Sequence, residues 1–256
     1  MKFDDDSSEK HSASARTTRR RLLEQSAWGV GAGLLASALP ASTSASDATR
    51  VRPAGTPAFH SAHDLKPLPF DVSKLNGLSK RLIESHWSNN YGGSVRALNE
   101  INRRLSAALT DKDLPAYVYN DLKREHLMRT GSVVLHELYF GNLGGSGRAP
   151  SGLRTLIGAA FGDFDRWESE FRRVAAGLGG GSGWVILGFN RHLGTLENYW
   201  MADHMHAPAD TRPLLVLDMY EHSYHMEFGA ATARYIDAFF DNIDWETVAA
   251  RTEPIR

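Results

Sequence analysis

The stretch "LDMYEHSYHMEF", residues 217–228, follows the apolar run "PLLVL" with a carboxylate at Asp218 and, four residues later, an imidazole at His222. A carboxylate carried to the end of an apolar segment is costly to bury without a cation or a hydrogen-bond donor. With His222 entering a helix, the spacing lets both side chains converge beyond the strand end. Two more histidines, His86 and His136, sit among the inward-facing positions of long helical patterns, where a neutral imidazole needs a partner for at least one ring nitrogen. The chain has 11 histidines and no cysteine, which excludes disulfides, zinc–thiolate sites and thiol catalysis. Any transition metal must then be held by imidazole and carboxylate, and three imidazoles with one carboxylate suit iron, manganese or zinc. Spacing alone leaves another reading open, because a single histidine on the inner face of a helix is more often a hydrogen-bonded core residue than a ligand.

The elements that must position these side chains fall into two dissimilar halves. "LSKRLIESHWSNNYGGSVRALNEINRRLSAAL" places Leu82, Ile83, His86, Val95, Leu98, Ile101 and Leu105 at helical spacings, with a kink expected at Gly92-Gly93. A second helical pattern, "LPAYVYNDLKREHLMRTGSVVLHELYFGNL", is expected to stop at Gly144-Gly145. Two long helices with a short connection predict an antiparallel hairpin. Beyond "GGSGRAPSG" one helix is expected through "FDRWESEFRRVAAGL". "GWVILGFN", "TLENYWMA" and "PLLVLDMY" are short, β-branched or aromatic runs bounded by turn residues, and predict three strands. A final helix over "TARYIDAFFDNI" is expected to close the chain. The fold class is therefore α+β: an N-terminal helical hairpin, residues 67–147, then a C-terminal α/β domain with a three-stranded antiparallel sheet, residues 148–256.

The 256 residues are 42% hydrophobic and 23% charged, a globular composition. A net charge of −1 provides no global field to recruit nucleic acid or an anionic membrane. The first 50 residues differ from the rest. A basic "TTRRRLLEQ" precedes an apolar run of small residues, Ser26 to Leu39, which fades into Ser, Thr and Ala. That order fits a secretory signal, and the run is short for a bilayer span of about 20 residues. Arg19-Arg20, preceded by Thr18 and followed by Leu22-Leu23, resembles the twin-arginine class, which exports folded proteins. Cleavage is expected near Ala45, residues 46–66 read as an Ala-, Pro- and Ser-rich linker, and the mature fold begins near Leu68.

"DMYEHSYH" resembles the "DVWEHAYY" signature of iron/manganese superoxide dismutases, and the likeness runs from "LPF" at 68 to "IDWETV" at 243–248. Its other landmarks are "LIESHW" and "SVRALN" around His86, "VVLHELYF" around His136, and "GGSGWVIL" at 180–187. The resemblance implies an N-terminal helical hairpin and a C-terminal α/β domain with one iron or manganese ion between them. It carries over His86, His136, Asp218 and His222 as metal ligands, with solvent as the fifth. The activity it implies is disproportionation of superoxide to dioxygen and hydrogen peroxide by redox cycling of the metal. It also implies a homodimer in which Glu221 bonds His222 of the partner subunit. His204, in "MADHMH", falls where the family tunes the metal with a glutamine or histidine, the other such position being Ser132; His206 receives no role.

The sequence departs from the family at the substrate gate. Ser94 stands where family enzymes place a tyrosine, Asn90 where they place a histidine, and His225 where a tyrosine meets that histidine across the dimer. The signature tryptophan is Tyr220, and the tryptophan beyond the second ligand is represented by Tyr139-Phe140. The basic residue that draws superoxide inward falls, by ungapped count, on Thr232, with Arg234 two places away. His204, Ser94, Asn90 and Tyr139 are thus the candidate catalytic positions around the ligands. Two functions follow: a periplasmic or secreted dismutase of altered efficiency, or a metal-binding protein or oxidase of the same fold with a rebuilt gate.

Overall fold

The computed structural model describes residues 57–252, so the twin-arginine segment and the start of the expected linker lie outside the described residues. Ser79 opens the first helix, α1 (Lys80–Ser85), by accepting from the Leu82 amide at 3.2 Å, an N-cap that satisfies an otherwise orphaned donor. A π-helical turn, His86–Tyr91, joins α1 to α2 (Gly92–Ala108). The kink expected at Gly92-Gly93 is absent: Gly92 is helical, with φ −62 and ψ −35. The irregularity falls one turn earlier, where the wider turn swings Trp87 and Tyr91 onto the extended segment before α1. Such π turns concentrate at functional sites, and this one begins with His86.

The second long helix, α3 (Ala116–Gly141), packs antiparallel to α2 and completes the hairpin. It ends at Gly141 rather than at Gly144-Gly145. The cause is Asn142, whose amide leaves the helix and pairs with a strand: Nδ2 donates to the Val216 carbonyl at 2.8 Å, and Oδ1 accepts from the Val216 amide at 3.3 Å. Arg251 Nη1 donates to the same Oδ1 at 2.8 Å and to the Leu214 carbonyl at 2.7 Å. One buried side chain thereby joins the end of the His136 helix to the strand that ends in Asp218.

After the hairpin, two helices stand where one was expected: α4 (Ser151–Phe161) and α5 (Phe164–Gly177). Gly162, at φ 96, turns the chain in a conformation that disfavours a side chain, and Asp163 then caps α5 by accepting from the Arg166 amide at 2.7 Å. The sheet has the order β2-β1-β3, antiparallel throughout, from β1 (Trp184–Asn190), β2 (Thr195–Met201) and β3 (Thr211–Asp218). β1 is central, and Trp184 pairs with Met201 on one side and Asp218 on the other.

The third strand was expected to continue to Tyr220. It stops at Asp218 because Oδ1 of that residue accepts from the Tyr220 amide at 2.9 Å, a local turn that competes with the ladder. A 3₁₀ turn (Glu221–Ser223) and the single-turn α6 (His225–Phe228) follow. The expected closing helix is α7 (Thr232–Asp241), with Tyr235, Ile236, Phe239 and Phe240 buried. A further helix, α8 (Trp245–Thr252), was not expected; Asp244 opens it by accepting from the Glu246 amide at 3.2 Å. The core is continuous from Leu82 and Ile83 through Val133 and Tyr139 to Trp167, Phe171 and Phe239. Each such side chain contributes about 1.5–3 kcal/mol through burial.

Candidate metal centre

Three elements and one turn deliver the candidate ligands. His86 is the first residue of the π turn, His136 lies in the last third of α3, Asp218 ends β3, and His222 sits in the 3₁₀ turn. Their ligand atoms all lie within 4.8 Å of one another. Oδ2 of Asp218 is 3.1 Å from Nε2 of His86, 3.3 Å from Nε2 of His222 and 3.6 Å from Nε2 of His136. His86, His136 and Asp218 are buried, whereas the His222 side chain keeps 25% exposure. The site therefore has one open side, at His222.

The surroundings orient each donor. His136 Nδ1 donates to the Ser132 carbonyl at 2.7 Å, which places the proton on Nδ1 and leaves the Nε2 lone pair facing the cluster. Asp218 spends Oδ1 on the Tyr220 amide, so Oδ2 is the oxygen presented to the imidazoles. Its backbone carbonyl accepts from Tyr235 Oη at 2.7 Å and from Ser223 Oγ at 3.0 Å. Asp218 is thus fixed by three hydrogen bonds to two of its oxygens, Oδ1 and the backbone carbonyl.

Charge follows the same geometry. Burial pushes the His136 imidazole down to about 3, and burial likewise lowers His86 against the opposing pull of Asp218. Burial would raise the Asp218 carboxyl, but the imidazoles of His222 and His86 close to Oδ2 outweigh it and hold the group well below the ordinary carboxylate range. Around neutral pH the pocket thus holds neutral imidazoles at His86 and His136 beside an ionised carboxylate. Nε2 of His86 and Nε2 of His136 are buried without a hydrogen-bond partner, an arrangement that proteins rarely tolerate unless something else occupies the lone pair. These orphaned nitrogens, converging with a carboxylate oxygen, fit an iron or manganese ion.

His204 lies on the loop after β2, beside this cluster. Trp184 Nε1 donates to His204 Nδ1 at 2.9 Å, so the His204 proton resides on Nε2. Its ring stacks on Tyr220 at 4.7 Å, and Tyr220 stacks in turn on His222 at 5.2 Å; His136 is 5.9 Å away. Gly131 on α3 permits this approach, because a Cβ there would stand 1.8 Å from the His204 carbonyl oxygen. His206 turns outward and bonds Asp203 at 2.8 Å.

The gate positions are scattered. Ser94 is buried and its hydroxyl meets that of Ser132 at 2.7 Å, with Ser132 Oγ 3.2 Å from His136 Nδ1. Asn90 is half-buried in the π turn, while His225 and Arg234 are exposed. Thr232 packs where a Cβ on Gly179 would stand 2.9 Å from its Oγ1. Tyr139 is fully buried and walls the site, its ring 5.2 Å from His86 and its hydroxyl 3.2 Å from that of Tyr235. Phe140 completes the wall 5.0 Å from His86. Sequence reasoning missed Trp184, Gly131, Tyr235 and Asn142, whose roles depend on contacts between distant segments; of these, only Trp184 lay within a landmark, "GGSGWVIL".

A helical hairpin and an α+β half that bring three imidazoles and one carboxylate to a single buried point define a mononuclear metal-binding fold. The chain belongs to the iron/manganese superoxide dismutase family. Residues 149–251 match the model of the C-terminal domain of iron/manganese superoxide dismutases. The chain is 48% identical over 189 residues to an iron superoxide dismutase of Cupriavidus metallidurans, a match covering 74% of this chain and 95% of that relative. It is 35% identical over 199 residues to an iron superoxide dismutase of Aquifex pyrophilus, covering 75% and 92%. A manganese superoxide dismutase of Halobacterium salinarum is 29% identical over 198 residues, covering 75% and 96%.

Proposed function

We propose that this chain is a superoxide dismutase, holding one iron or manganese ion through His86, His136, Asp218 and His222 and converting superoxide to dioxygen and hydrogen peroxide. The observation that carries this reading is the convergence of the four ligand atoms within 4.8 Å, with two orphaned buried nitrogens among them. Bound there, iron or manganese supplies one-electron chemistry by alternating between its trivalent and divalent states. Asp218 contributes a buried negative charge that favours the higher oxidation state. His204 holds a proton at Nε2 in the wall of the site, on the ring edge not used by Trp184, and serves as the outer tuning residue. The open side at His222 is the approach for a small anion.

The gate supports an altered efficiency. Ser94 spends its hydroxyl on Ser132, and Thr232 has no guanidinium, so both proton delivery and anion attraction are weaker than with a phenol and a cation in those places. These features also favour the second reading, a metal-binding protein or oxidase of the same fold that does not dismutate. Metal analysis of the purified protein with direct measurement of superoxide consumption separates the two. Bound metal without dismutation would favour the second.

Glu221 is exposed beside His222, which supports a homodimer in which Glu221 bonds His222 of the partner subunit and orients it. Sedimentation of wild type and Glu221→Ala tests this; a monomeric wild type would refute it. We further propose export of the folded protein to the periplasm or medium by the signal in residues 1–45. The linker expected over 46–66 does not extend through its last residues, because His63 and Lys66 are bonded to the helical hairpin. Replacement of Arg19-Arg20 by two lysines should retain the precursor inside the cell, and unaffected export would contradict the twin-arginine reading.

A further inference from the structure

An extended strap of chain before α1 crosses the hairpin, held mainly by side-chain bonds to its backbone. The His63 amide donates to Asn99 Oδ1 at 2.8 Å, and Asn99 Nδ2 returns a bond to the His63 carbonyl at 2.9 Å. At Lys66 the strap meets both ligand-bearing helical segments. Trp87 Nε1 donates to the Lys66 carbonyl at 2.9 Å, and the Lys66 amide donates to Tyr91 Oη at 3.1 Å. Lys66 Nζ bonds Glu137 Oε2, while Tyr91 Oη donates to Glu137 Oε1 at 2.9 Å. His63 Nε2 stands 3.5 Å from the same Oε1.

The positions of these partners matter. Trp87 and Tyr91 lie in the π turn that begins with His86, and Glu137 directly follows His136. Lys66 therefore ties its backbone to one ligand-bearing segment and its ammonium to the other, with Tyr91 bridging them. A pocket of about 150 Å³ lies beside the network, lined by Lys66, Pro67, Trp87, Tyr91 and Phe140. Tyr91 itself is buried with its ring stacked 6.3 Å from that of His136, so the network adds to packing between the two segments. Lys66 is 64% exposed, so its ion pair alone is weak. Glu137 is only 17% exposed, and the shared hydroxyl of Tyr91 makes the three groups a single network.

We propose that Lys66 is a positioning residue for the metal centre, clamping the π turn of His86 to the His136 segment of α3 and thereby setting how long bound metal is retained. This rests on the metal-binding reading given above. Nothing in the network touches the reacting atoms; it acts by keeping the two imidazole nitrogens at ligating separation.

The test compares wild type with Lys66→Met, Lys66→Arg, Tyr91→Phe and, as a distant surface control, Lys80→Met. Each protein is loaded with manganese, and release into excess chelator is followed well below the unfolding temperature. In parallel, amide exchange across residues 86–91 is measured on the metal-free proteins. Release should quicken about threefold in Lys66→Met and about tenfold in Tyr91→Phe, which removes two bonds at once. Lys66→Arg should restore the wild-type rate, Lys80→Met should match it, and exchange in the π turn should rise in the same order. Release that quickens only in proportion to global unfolding, or equal exchange in Lys66→Met and wild type, overturns the clamp. If wild type takes up no metal, the functional reading fails while the exchange arm still decides whether Lys66 holds the two segments.

Discussion

Trp184 donates its indole N–H to Nδ1 of His204 at 2.9 Å, linking the first residue of the central strand to a loop histidine 20 residues later. The bond fixes the His204 tautomer and leaves the Nε2 proton in the wall of the metal centre. His204→Ala should keep the metal content of wild type and lower superoxide consumption about tenfold or more. Trp184→Phe should give a smaller loss, since it frees the tautomer but keeps the ring. Pulse radiolysis with metal analysis of the same samples checks both.

Gly131 offers a way to displace His204 without altering it. A Cβ at this position would stand 1.8 Å from the His204 carbonyl, a clash with backbone that only movement of the loop or of α3 can relieve. Gly131→Ala should therefore lower activity by a factor close to that of His204→Ala. Wild-type activity would show that the loop position is unimportant.

Tyr235 reaches from α7 to the backbone carbonyl of Asp218 at 2.7 Å, fully buried. Tyr235→Phe leaves that carbonyl with Ser223 alone and should cost about 1–3 kcal/mol of stability. Urea unfolding of the metal-free protein, with the slope unchanged and the midpoint lowered, is the expected result.

Acid should destabilise the metal-free protein from an unusually high pH. His136, held near 3, and His86, also lowered, both start from an ordinary value of 6.5. Below 6.5 the unfolded chain binds protons that these buried rings refuse, so stability is full above that pH and falls as pH drops toward the folded values. Asp218 acts in the same direction lower down, contributing above 3.8 and losing its contribution as pH falls through its depressed folded value. The urea midpoint should decline from about pH 7 to about pH 5, by up to about 1.4 kcal/mol per unit for each imidazole. A flat profile would mean that these rings are not buried neutral.

The three strands were legible because β-branched and aromatic runs lay between turn residues, and the cluster residues stood out because polar groups interrupt apolar patterns. Asp218 at the end of "PLLVL" is the plainest case. Where the expectation failed, a local side-chain bond had overridden the periodic signal. Asn142 ended α3 early by bonding a strand, Asp218 cut β3 short by bonding Tyr220, and Asp163 started a separate helix after the turn at Gly162. The Trp184–His204 bond and the Lys66 network were illegible for a different reason: their partners lie 20 to 71 residues apart with no shared period. The Ser94–Ser132 pair likewise joins two positions 38 residues apart on different helices.

The central claim is that His86, His136, Asp218 and His222 hold one redox-active metal that consumes superoxide. Its most direct test is superoxide decay by pulse radiolysis, with metal content measured on the same purified mature protein. The account predicts about one iron or manganese per chain, with decay abolished in His222→Ala and retained in His206→Ala. Stoichiometric metal with no decay above that of the buffer would contradict it.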